Sequence, residues 1–368
     1  MSAARALPHR AEHIGSLLRP PELKEAFRRH RDGQLDAEGY EAALASAIER
    51  AVRLQEQAGL DSITDGELGR SSWFGFFFER MEGFRLEPSA FSFRGESGGA
   101  YEWATCCASG RMRRRGGITT AEFERLHALT RRTPKVTMPS PSAFHFFRFS
   151  APADPVAYPD IEEYWDDLVG VYRAEIAELG RRGARYVQLD EVPLAMLCDP
   201  LVREQVTAMG GDPEVLASTY VGALQRVLAG RPAEMTVGLH LCRGNFRGRW
   251  MAAGGYEPVA ERLFHEVPVD AFFLEYDSPR AGDFSPLRLV PSDKRVVLGL
   301  VSTKTAALES PEALHRRLDE ASHHVPLDRL ALSPQCGFAS VAGGNALGEA
   351  DQLAKLRLVV EVAQSVWR

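Results

Sequence analysis

The chain has 368 residues, with 44 Lys and Arg against 50 Asp and Glu, a formal charge of -6 and a pI near 6.0. No sustained basic stripe runs through it, which argues against a nucleic-acid partner, and no apolar stretch approaches the ~20 residues a membrane-spanning helix needs. Five cysteines, an odd number with Cys106 and Cys107 adjacent, argue against a disulfide framework and point to a reducing, cytoplasmic compartment. The first ten residues carry no hydrophobic signal core.

Short apolar runs, each closed by a polar or Gly/Pro turn, recur at 11–16, 61–67, 134–140, 184–190, 235–242, 270–276, 295–302 and 329–336. Amphipathic segments with apolar residues at helical spacing lie between them, at 41–59, 158–182, 213–230 and 311–323. Buried parallel strands read as continuous apolar runs and need helical crossovers, so eight such units predict an α/β fold of the (β/α)8 TIM-barrel type over residues 1–368. A doubly wound open sheet is the alternative. One stretch breaks the alternation: about 70–133 carries aromatics, Gly pairs and arginines, and predicts a long β-hairpin excursion after the second strand, with 90–94 pairing 100–105. Its basic cluster at 111–115 reads as a solvated loop.

Polar side chains gather at the C-terminal ends of these runs, the end where barrel enzymes place their sites: Ser16, Asp65 and Glu67, Ser140, Asp190 and Glu191, His240 and Cys242, Glu275, Ser302 and Lys304, and Cys336. Residues two apart on a strand point the same way, so His240 and Cys242 can grip one ion, and Cys336 and Glu275 complete a donor set that suits zinc. Two thiolates and an imidazole make zinc a modest Lewis acid but a good partner for a substrate thiol, which favours alkyl transfer to sulfur over hydrolysis. The plain alternative for each residue alone is a buried cysteine or a satisfied core histidine. Glu67 and Asp190 can form a paired anionic grip for an ammonium group, as on homocysteine, or can cap the segments that follow them. Gly15 and Ser16, with His13, can offer donors to a carboxylate, or form an ordinary turn. Trp73 and the phenylalanines at 74, 76, 77 and 78, like those at 144, 146 and 147, read either as a pocket floor or as core.

On these residues the chain resembles the cobalamin-independent methionine synthase family. The motifs are His13-Ile-Gly-Ser16, Thr64-Asp-Gly-Glu67, Val187-Gln-Leu-Asp-Glu191, His240-Leu-Cys242, Glu275 and Ser333-Pro-Gln-Cys-Gly337, spread over nearly the whole sequence. The resemblance implies that His240, Cys242, Glu275 and Cys336 hold Zn2+, with Glu275 the labile ligand, and that Glu67, Asp190 and the Gly15–Ser16 backbone hold homocysteine. It implies the same barrel and a methyl transfer to the thiol.

The sequence departs from that pattern in three ways. Full-length members carry two barrels, and this chain has room for the catalytic one. A lysine, Lys304 in Gly299-Leu-Val-Ser-Thr-Lys304, stands where the family has its catalytic histidine, either as a replacement acid or as an anion binder. The tryptophan-containing folate segment is replaced by Thr137-Met-Pro-Ser-Pro-Ser142. The donor is therefore read as methyltetrahydrofolate or a methylated corrinoid, the second bringing a corrinoid protein as partner. Alkyl transfer to another thiol, C–S cleavage, and a non-enzymatic zinc-thiol subunit are the other readings.

Overall fold

The structure, a computed structural model, describes residues 9–94 and 100–367. In chain order its strands are β1 (Ser62–Ile63), β2 (Met81–Pro88), β3 (Phe93–Arg94), β4 (Ala100–Tyr101), β5 (Ala104–Arg114), β6 (Thr133–Pro134), β7 (Val136–Pro139), β8 (Tyr186–Glu191), β9 (Thr236–Leu241), β10 (Ala271–Glu275), β11 (Arg295–Val301) and β12 (Leu330–Pro334). Strands β7 to β12 pair in sequence order and all in parallel, each buried along nearly its whole length, which is why they read as unbroken apolar runs. The parallel pairing continues at one side from β6 to β1 and at the other from β12 to Ala11. Helices cover the outside, among them Ala37–Ala58, Ile161–Arg181, Pro213–Leu228 and Pro311–Ser322, near the predicted amphipathic segments. Among the described residues no helix is long and apolar enough to cross a membrane.

The runs at 11–16 and 61–67 form less ladder than predicted: one bridge at Ala11 and the two residues of β1. Side chains take over the backbone groups there. Gln55 accepts from the Thr64 N–H at 2.9 Å and donates to the Thr64 carbonyl at 2.8 Å; the Thr64 hydroxyl donates to the Gly15 carbonyl at 2.7 Å; Gln188 donates to the Ile14 carbonyl at 2.7 Å. A buried backbone group must be paired by something, and here the something is a side chain. Between the strands, Ile14, Tyr186, Phe273, Val297 and Ala331 form one apolar cluster. Beside it a buried Glu12–Lys135 pair, 3.2 Å apart, is closed by the hydroxyls of Ser62 and Tyr186.

The segment after β1 contains two antiparallel pairings. β3 pairs with β4, close to the predicted hairpin, and the five residues joining them lie outside those described. A longer pairing of β2 with β5 was not read from the sequence. The arginines predicted as solvated loop are largely part of β5, where Arg111 pairs with Glu163 and Asp167, and Arg114 with Glu178, on the helix Ile161–Arg181.

Candidate metal and substrate site

Alternation along the strands selects what faces inward. On β8, Tyr186, Gln188 and Asp190 share a side, and on β9, Gly238 and His240 do, with Cys242 next in phase just beyond the strand. Asp190 is the register partner of His240 across the β8/β9 pair. Cys336 follows β12 on a turn fixed by Gln335, whose N–H donates to the Val301 carbonyl at 2.8 Å and whose side-chain oxygen accepts from the Thr303 N–H at 2.6 Å. Gly337 lies beside Ser16, where a Cβ would come within 2.0 Å of the Ser16 hydroxyl oxygen.

These ends bring His240, Cys242 and Cys336 together. One ligand atom from each lies within 4.8 Å of the others, and all three residues are buried. The two sulfurs are 3.2 Å apart and both cysteines are free. Neither ring nitrogen of His240 has a hydrogen-bond partner. An imidazole buried with both nitrogens unsatisfied is costly unless something fills the coordination. A tetrahedral zinc with sulfur bonds of ~2.3 Å sets its sulfurs ~3.7 Å apart, so the pair need open by only about 0.5 Å. The residues present therefore fit a zinc ion. The Cys336 contact draws the Cys242 thiol down, to about 5, against the burial that opposes it, and the Gly244 N–H donates to the same sulfur at 3.3 Å.

The cluster opens into a pocket at the same ends of the strands. Ser16, Glu67 and Asp190 line it together with His240, Cys242 and Cys336. Glu67 sits at φ 57, a left-handed position that a non-glycine residue rarely adopts, and its Oε1 accepts from the Thr137 hydroxyl at 2.8 Å with Arg70 at 3.4 Å. Gly15, at φ +143, leaves room for it: a Cβ there would meet Glu67 Oε1 at 2.9 Å. Burial pushes the Asp190 carboxyl up to about 7, opposed by His240 and reinforced by Glu67.

A family model described as the catalytic domain of cobalamin-independent synthase matches residues 10–365. The chain belongs to that family. The uncharacterized protein YxjH of Bacillus subtilis (strain 168) is 40% identical over 99% of this synthase-family chain and 96% of its own. A methionine synthase of Pyrococcus furiosus is 26% identical over 88% of this chain and 85% of its own. Among solved structures, a candidate vitamin-B12 independent methionine synthase from Listeria monocytogenes superposes with a TM-score of 0.75 at 30% identity, covering 99% of both chains. The fold is thus TIM-barrel-like α/β. Nothing in a family named for its independence from cobalamin supports a corrinoid partner.

Within this family member three predicted site residues do not line the pocket: Gly15, whose neighbours Ile14 and Ser16 do, Glu275 and Lys304. Glu275 is buried at the end of β10, but its carboxylate lies outside the three-residue cluster, with Arg280 at 2.7 Å, Lys304 at 3.1 Å and the Arg243 N–H at 2.9 Å. Burial would raise its pKa, yet those cations bring it down to about 2. Lys304 does not line the pocket, and its ammonium lies between Glu275 and Asp277. Burial lowers its pKa, but the two carboxylates outweigh that and raise it, the opposite of what an acid working at neutral pH requires. Glu191 resolves as a cap: it accepts from the Leu194 N–H at 2.9 Å and the Ser142 hydroxyl at 2.6 Å. His13 is bonded to the Ser62 carbonyl and is not a pocket residue. Cys106 and Cys107 lie in β5, away from the cluster.

Other pocket residues were missed. Asn245 donates to the Thr303 hydroxyl at 2.9 Å and to the Gly337 carbonyl at 3.2 Å, while its side-chain oxygen is buried and unpartnered. Phe93 and Trp103, from the segment after β1, line the pocket with Trp73 and Phe147. Of the aromatics flagged in sequence, Trp73 and the otherwise buried Phe147 line the pocket, while Phe76, Phe77, Phe144 and Phe146 are core alone.

Proposed function

We propose that this protein is a zinc-dependent S-methyltransferase that methylates a small amino-bearing thiol, homocysteine by preference, to give methionine. The observation that carries the reading is the convergence, in one pocket, of His240, Cys242 and Cys336 with the two carboxylates Glu67 and Asp190. Bound zinc supplies a lowered thiol pKa without loss of nucleophilicity. His240, Cys242 and Cys336 are the residues that hold it. Glu275, whose carboxylate Lys304 and Arg280 hold beside the cluster, would be the further, labile donor. Glu67, fixed by Thr137 and Arg70, and Asp190, fixed by Gln188 at 2.7 Å, receive the substrate ammonium. The Gly15–Ser16 backbone and hydroxyl lie beside them for the carboxylate. Two carboxylates repel an anionic tail, which selects an amino-bearing thiol over a sulfonate thiol.

We read residues 1–368 as one closed (β/α)8 barrel with an insertion at about 70–133, working in the cytoplasm, where free cysteines persist. The test is zinc content together with zinc-edge X-ray absorption, with and without homocysteine. Two sulfurs rising to three on adding the thiol support the reading. Absence of zinc, or an unchanged sulfur count, overturns it.

A further inference from the structure

Four of the residues lining the pocket are aromatic. Trp73, Phe93, Trp103 and Phe147 line it, with the Trp103 and Phe147 ring centroids 4.8 Å apart and edge-on, and Phe93 5.9 Å from Trp103. The Trp103 N–H donates to the Phe91 carbonyl at 2.9 Å, so the polar edge of that indole is already committed to the backbone. Among the described residues, the carboxylates lining the pocket are Glu67 and Asp190, and no lysine or arginine lines it. Aromatic lining with no lysine or arginine beside it favours a cation whose charge is spread over methyl groups: ring faces within about 6 Å of such a group stabilise it, and a neutral or anionic ligand gains nothing equivalent.

We propose, resting on the methyl-transfer reading above, that the methyl donor is a small methylated onium ion, a sulfonium or a quaternary ammonium, held against Trp73, Phe93, Trp103 and Phe147. The chemistry balances without an acid. A lone pair of the homocysteine thiolate forms the new S–CH3 bond, the CH3–S⁺ or CH3–N⁺ bond breaks, and its electron pair stays on the departing atom, which leaves as a neutral thioether or tertiary amine. No proton is delivered to the leaving group. That agrees with a pocket whose nearby lysine is committed to two carboxylates, and it removes the need that a neutral-amine donor such as methyltetrahydrofolate has for protonation.

Two measurements on the zinc-loaded full chain test this. Calorimetric titration compares choline with its uncharged isostere 3,3-dimethylbutan-1-ol in the native protein and in Trp103→Leu and Phe147→Leu. Choline is expected to bind at least about tenfold more tightly than the isostere, with each variant losing most of that preference while still adding a third sulfur to zinc with homocysteine. Equal affinity for the two, or an undiminished preference in both variants, overturns the proposal. Methylation of homocysteine is then followed with S-methylmethionine, dimethylsulfoniopropionate, glycine betaine and methyltetrahydrofolate. Turnover with either sulfonium or with betaine supports an onium donor and tells the two classes apart. Turnover with methyltetrahydrofolate alone overturns the onium assignment and leaves the methyltransferase standing. If homocysteine adds no sulfur to zinc, the methyl-transfer reading itself falls, and the donor assignment with it.

Discussion

Replacing Lys304 by Gln separates a proton donor from a residue that positions a carboxylate. The ammonium lies 3.1 Å from Glu275 Oε1. At an effective dielectric of about 20 that attraction is roughly 5 kcal/mol. Removing the lysine also removes the cost of burying it, and Arg280 remains 2.7 Å from the same oxygen, so the net loss is about 2–3 kcal/mol. For a chain of this size that lowers Tm by about 3 °C. The pH dependence follows from the two shifts. Glu275, held down to about 2, stabilises the fold fully above its unfolded pKa and loses that contribution as pH falls from there toward 2. Lys304, raised, contributes below its unfolded pKa and loses that as pH rises through its folded value. The Tm difference between native and Lys304→Gln proteins is therefore largest between about pH 5 and 9, and shrinks by about half near pH 3. Melting curves of the zinc-free proteins followed by circular dichroism measure it, with turnover assayed in parallel. A Tm difference independent of pH would refute the electrostatic account. Loss of turnover with unchanged Tm and unchanged zinc content would make Lys304 an acid after all.

Cys242→Ser and Cys336→Ser are each expected to lose stoichiometric zinc on dialysis and all turnover; metal analysis and the methylation assay check this, and full activity in either zinc-poor variant contradicts the donor set. Glu67→Gln removes one half of the ammonium grip and should lower kcat/KM for homocysteine about 100-fold, mostly through KM, with zinc content unchanged. Gly15→Ala faces both a positive φ and contacts of 2.7 Å to Thr137 and 2.9 Å to Glu67, and should cost about 2 kcal/mol in denaturant unfolding along with a raised KM. Asp190→Asn removes the other half of the ammonium grip and should lower kcat/KM for homocysteine to a similar extent, with zinc content unchanged.

How far the sequence could be read depended on who supplies the hydrogen bonds. From β8 to β12, backbone pairs with backbone, the strands are buried on both faces, and apolar runs with polar ends marked them well. At 11–16 and 61–67 the partners are Gln55, Thr64 and Gln188 side chains from elsewhere in the chain, and no local periodicity reports that. The donor residues His240, Cys242 and Cys336 stood out because soft side chains at strand ends are unusual. Alternation along β8 places Asp190 inward with Gln188 and turns Glu191 away, so that distinction was available from spacing alone. Glu275 was legible as inward-facing, but its partners were not, since Arg280 and Lys304 reach it from two different loops. Phe93, Trp103 and Asn245 carried no signal, because only the three-dimensional path of their loops brings them over the pocket.

The segment holding Phe93 and Trp103 shares no strand with the sheet that carries the cysteines and His240. Chain that touches a pocket without bearing its thiol and imidazole groups can be lengthened, shortened or rewritten while the ends of β9 and β12 that carry them stay as they are. A relative that takes a different alkyl donor is then expected to differ from this chain most between β1 and β6, and exchanging that one segment between the two is the shortest route to exchanging what they consume.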